Sequence, residues 1–143
     1  MYKKLAIAIS INAILMYLIG YVMIDKFDDF YLNINRVYMT LLMVTPMVIV
    51  MLLVMSSMFE NKKLNYILIA ASAAVFVICF ALSRTQVPVG NTQFLRSMIP
   101  HHSSAIVMCQ ESEITDPEII KLCQQIIKSQ EEEITEMKTL LAK

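Results

Sequence analysis

Polarity along the chain divides it in two. Leu5 to Ile24, Val37 to Phe59 and Leu64 to Ser83 contain no Asp, Glu, Lys, Arg or His, and only DKFDDFYLNINR and a short ENKK separate them. Twenty uncharged residues rise about 1.5 Å each as a helix and so cover a hydrocarbon core of roughly 30 Å. The pattern predicts three transmembrane helices, at about 5–24, 37–59 and 64–83, within a membrane region 1–84. Lys3 and Lys4 give the first run a signal-peptide-like start. It is too long for a typical cleaved segment and lacks a small-x-small site before Asp25, so it is expected to remain as an anchor.

Beyond Arg84 the pattern changes. TQVPVGN, with Pro88 and Gly90, reads as part of a connector over 85–93, and residues 94–143 read as an extramembrane domain of two helices. Asp116 is a good N-cap, Pro117 suits the first helical position and Glu118 a first turn that favours negative charge, which predicts a helix from Pro117 to about Leu141. Ile120, Cys123, Ile127, Gln130, Ile134, Met137 and Leu141 recur at alternating steps of three and four and define one seam. Leu95, Met98, His102, Ala105, Cys109 and Ser112 define another. Reversal near Asp116 pairs the seams antiparallel, Cys109 with Cys123, Ala105 with Ile127, His102 with Gln130 and Met98 with Ile134. The fold class expected is an all-α membrane protein, three spans followed by a helical hairpin. A hairpin of this size buries too little apolar surface alone, so a homodimer closing a four-helix bundle is expected.

Composition sharpens this reading. The chain of 143 residues is 57% hydrophobic and 17% charged, unlike an average soluble domain, and its net charge is zero, which gives no footing for nucleic acid. Lys3, Lys4, Lys62 and Lys63 fall on one side of the spans and Lys26, Arg36 and Arg84 on the other. The compact lysine pairs favour the cytoplasm, and an odd number of spans then carries residues 94–143 outside. No span holds an ionisable residue of the kind that marks a proton relay or ion pathway, which argues against a pump. Ser10, Asn12, Thr45, Ser56, Ser57 and Ser72 are among the few polar positions of the spans, most simply used in helix packing. Met39, Met43, Met47, Met51 and Met55 form a ladder in the second span, with Met58 beyond. Methionine is an adaptable apolar filler and also a soft ligand, and both readings stay open.

The candidate chemistry lies in FLRSMIPHHSSAIVM, which holds both histidines of the chain. Met98 precedes His101 by three residues and His102 by four, so one helical turn brings a thioether alongside the imidazoles if the helix persists through Pro100. Met108 shares a flank with His101. Across the hairpin, Met137 lies about one turn from Met98, with Gln130 and Glu133 facing the histidines as orienting acceptors. Neutral imidazoles with thioethers favour Cu(I) or Ag(I) over Zn(II). The simpler alternative is that Met98 and Met137 are packing residues and the histidines a hydrogen-bonded cap. Cys79 is a small apolar residue of the third span. For Cys109 and Cys123, a helix separation of about 8–10 Å against the 7 Å Cα limit of a disulfide favours packed free thiols, with a disulfide or soft-metal ligation as alternatives.

FLRSMIPHHSSAIVM with SQEEEITEMKTLL resembles a bacterial family known as domain of unknown function 305. The matching positions are Phe94, Met98, Ile99, Pro100, His101, His102, Ala105, Ile106, Met108, Gln130, Glu133, Ile134 and Met137, within the last fifty residues or so. Ser103-Ser104 stand where many relatives carry a Gln-Gly or similar pair. The resemblance implies a ferritin-like helical bundle and, from several members, copper binding and resistance in the periplasm. It carries no di-iron chemistry, since the chain has no Glu-x-x-His pair. The resulting expectation is a non-enzymatic protein of the bacterial inner membrane that captures Cu(I) or Ag(I) through Met98, His101, His102, Met108 and Met137, for sequestration or for hand-off to a copper-transport or chaperone partner. The rival expectation is an assembly module that contacts another membrane protein and uses its histidines structurally.

Overall fold

A computed structural model describes all residues from Met1 to Lys143 and is entirely helical. Helix α1 covers Tyr2–Ile19, α2 Ile34–Val54, α3 Lys62–Thr85, α4 Asn91–Glu111 and α5 Pro117–Leu141, with one 3-10 turn at Phe27–Asp29 between α1 and α2. The first three helices are each long and apolar enough to cross a bilayer, which marks a membrane protein. The chain divides into two compact units, Met1–Ile19 with Asn35–Pro88, and Gly20–Ile34 with Val89–Lys143.

In the first unit α2 is the central helix. A third of its span window is buried, against 6% in α1 and α3. Leu5, Val44, Val48, Leu52 and Phe59 form its core, with Met16, Met51, Met55 and Ile69 packed on it. Exposed Ile, Leu, Val and Phe side chains cover much of the remaining helix surface. Such a surface is favourable against lipid and unfavourable in water. Asn61 caps α3 by accepting from the amide of Leu64 at 3.0 Å, and the Tyr2 hydroxyl donates to Asn65 Oδ1 at 2.7 Å. The Tyr2 bond ties the start of α1 to the start of α3. Pro46 lies inside α2, which continues through it.

The first span is shorter than its uncharged run. α1 ends at Ile19, Gly20 is a poor helix former, and Tyr21 is buried with its hydroxyl donating to the Tyr31 carbonyl at 2.8 Å. Hydrophobicity makes residues 20–24 look like span, but they belong to the second unit. The second span likewise starts earlier and ends earlier than its uncharged run.

The second unit is a hairpin of α4 and α5 with the 20–34 segment folded against it. Asp116 caps α5 by accepting from the amides of Glu118 and Ile119, Pro117 occupies its first turn, and the helix ends at Leu141, all as its sequence predicts. α4 also persists through Pro100. The buried line of α4 differs from the expected one. Ile99, Pro100, Ser103 and Ile106 are its buried residues, displaced from the Met98, His102, Ala105 line; the core pairs Ile99 and Ile106 with Ile134 and Met137. The cause is a second neighbour for α4. Ser103 Oγ accepts from the Asp25 amide at 2.7 Å and donates to Asp29 Oδ2 at 2.7 Å, while Lys138 Nζ lies 2.6 Å from Asp29 Oδ1. Gln93 accepts from the Ile34 amide at 3.0 Å, and Tyr31 packs on the same core.

Candidate metal centre

Met98 and His102 come from successive turns of α4, Glu133 and Met137 from successive turns of α5, and the four side chains line one open groove of about 420 Å³. Phe94, Leu95, Glu136 and Leu140 complete its walls. Helical spacing brings this about. Residues four apart lie on one face, and the antiparallel reversal sets the two faces together.

His102 is the centre of the polar part. Its side chain is 12% exposed, and Nδ1 lies 3.0 Å from Glu133 Oε2, at ion-pair distance but outside hydrogen-bond angles. Burial lowers its pKa; Glu133 opposes that effect, and neighbouring His101 adds to it. The neutral ring that burial favours keeps an electron pair for a ligand bond. Glu133 is itself held by Ser129, whose hydroxyl donates to Oε1 at 2.9 Å. Glu133 thus stands beside Nδ1, on the side of the ring where a ligating imidazole in a metal protein meets its orienting carboxylate.

The other expected donors are placed differently. His101 is exposed, its ring centroid 6.0 Å from that of His102 at 58°, and it does not line the groove. Met108 is 58% exposed and lies outside the groove. Of the two expected acceptors Gln130 does not line it, and Glu133 is the one that faces His102. No three His, Cys, Asp or Glu side chains gather to hold a metal ion. The groove therefore offers one imidazole and two thioethers beside the carboxylates of Glu133 and Glu136, and of the two thioethers Met137 is the more deeply buried. Ser129 escaped the sequence reading, although its spacing of four before Glu133 on a predicted helix was a usable signal.

Cys109 and Cys123 are joined by a disulfide, with Cα atoms 5.3 Å apart. This corrects the expectation of free thiols. The general helix spacing does not apply near the bend, where the two helices approach more closely, and the bond removes both sulfurs as thiolate ligands. Cys79 is the remaining thiol, buried in α3.

Fold and site together define a membrane protein with three candidate spans and a disulfide-closed hairpin that carries a His/Met groove. The chain belongs to the family described as Domain of unknown function (DUF305), whose sequence profile matches residues 79–141. A protein of Acanthamoeba polyphaga mimivirus, described only as uncharacterized, is 37% identical over 119 residues, covering 82% of this chain and 76% of the relative. That similarity extends beyond the profile into the membrane region. No solved structure matches significantly.

Proposed function

We propose that the chain is a membrane-anchored binding protein for Cu(I) or Ag(I), in which Met98, His102 and Met137 supply the ligands and Glu133, steadied by Ser129, orients the imidazole. The observation that carries this reading is the groove itself, where a largely buried imidazole, whose pKa burial lowers, lines the same walls as two thioethers and no thiolate. Soft, weakly charged donors of this kind select soft monovalent ions. The role is sequestration or hand-off to a transport or chaperone partner, not catalysis.

The hairpin faces the outside of the cell membrane and the N-terminus the cytoplasm. Two independent features support this orientation, the lysine pairs Lys3-Lys4 and Lys62-Lys63 and the Cys109–Cys123 disulfide, which persists in oxidising compartments. Exposed Phe94, Leu122 and Leu140 on the hairpin favour a second copy as the covering partner, closing a four-helix bundle. In that homodimer the exposed His101 and Met108 are available to the partner's groove.

Anaerobic Cu(I) titration against a chromophoric chelator tests the site. His102→Ala is expected to lose tight binding at the hairpin groove, and His101→Ala to weaken it less, with helical content unchanged in both. Wild-type affinity in His102→Ala removes the assignment. In that event the exposed apolar face supports the assembly-module reading.

A further inference from the structure

We propose that the first unit holds a second soft-cation site, in which the thioethers of Met16 and Met47 and the carboxamide of Asn12 take one Cu(I) or Ag(I) ion. Asn12 lies within α1, and its Nδ2 is 3.1 Å from Met47 Sδ and 3.8 Å from Met16 Sδ. Two sulfurs from two different helices thus meet at one amide. A carboxamide is costly in hydrocarbon unless its hydrogen bonds are made, and thioether sulfur is a weak acceptor. Leucine would fill the position at lower cost. What Asn12 adds is an oxygen that can turn toward a cation already flanked by two soft donors.

The methionine ladder of α2 divides in a way that extends the argument. Met51 and Met55 pack with Met16 on the Leu5, Val44, Val48 and Leu52 core, whereas Met39, Met43 and Met58 are exposed. Met47, through its contact with Asn12, thus stands one turn before Met51 and two before Met55 in a series of thioethers on successive turns. The spans contain no carboxylate to neutralise a bound ion, which selects against divalent cations, because the desolvation cost of an ion grows steeply with its charge. A soft monovalent ion fits both the sulfur donors and the missing counter-charge. None of the hairpin's donors is used, so this site and the groove can fail separately.

The test is metal stoichiometry on the full-length protein in detergent, using Cu(I) and a competing chromophoric chelator without oxygen. Wild type is expected to take two equivalents, His101→Ala with His102→Ala one, and those changes combined with Met16→Leu and Met47→Leu none. A wild type that takes one equivalent, lost on Met16→Leu with Met47→Leu but retained by the histidine variant, supports this site and removes the groove. The proposal is overturned if the histidine variant binds nothing, or if the combined variant binds as much as the histidine variant. Should the Met16 and Met47 changes disturb folding, a selenomethionine-substituted histidine variant that also carries Met98→Leu and Met137→Leu, loaded with Cu(I), decides: selenium neighbours in the copper absorption spectrum support the site, and a shell of nitrogen and oxygen alone overturns it.

Discussion

Asp29 retains only 2% of its surface in contact with solvent, and its surroundings follow from that burial. A carboxylate removed from water must be paired and hydrogen-bonded, and it finds the Ser103 hydroxyl and the Lys138 ammonium. Lys138→Met is expected to destabilise the hairpin by about 1–3 kcal/mol, below the usual figure for a buried pair because the lysine is 31% exposed. Asp29→Leu together with Lys138→Met should recover part of that loss, since no orphan charge remains; denaturant midpoints of the purified protein check both. His102 sets a pH dependence of definite sign. Burial lowers its pKa from the ordinary 6.5, so the unfolded chain takes the proton more readily than the native one. Its contribution to stability is fully present above the unfolded pKa and is lost as pH falls through the range below about 6.5. Melting curves from about pH 8 down to about pH 5 should show this loss, and a His102→Gln variant should show less of it.

At the scale of elements, local chemistry was legible where it acts locally. Asp116, Pro117 and Glu118 determine where α5 begins, because a cap needs only its own backbone amides. The buried line of α4 was not legible to the same degree. Periodicity finds one apolar stripe, but Ser103 is fully buried through partners some seventy residues earlier in the chain, and nothing local to α4 announces them. The disulfide is a similar case, since a rule for average helix spacing misjudges two helices close to their bend. Its cysteines are 14 residues apart, and by loop-closure entropy Cys109→Ser with Cys123→Ser should cost the hairpin about 3 kcal/mol. Thermal melting with and without reductant should give the same loss in the wild type and no change in the variant.

For the whole molecule, the grouping of Gly20–Ile34 with the hairpin has direct consequences. Replacing residues 24–33 by a Gly/Ser segment of equal length should raise amide hydrogen exchange in α4 around Ser103 and Ile106, while α5 near its Asp116 cap changes little. A reporter that is active only in the cytoplasm, fused after Lys143, should be silent if the hairpin faces outside, and full activity would reverse the orientation. The grouping of His102 with Met98 and Met137, the presence of three long apolar helices and the limits of α5 were legible in the sequence alone, because hydrophobic run length, capping and helical spacing act over a few residues. Tertiary structure decided which imidazole lines the groove, which acceptor faces it, that the cysteines are joined, and that a loop between two spans belongs to the hairpin. Those outcomes depend on burial and charge pairing between residues far apart in the chain, where the partner of a side chain is set by packing and not by its neighbours in sequence.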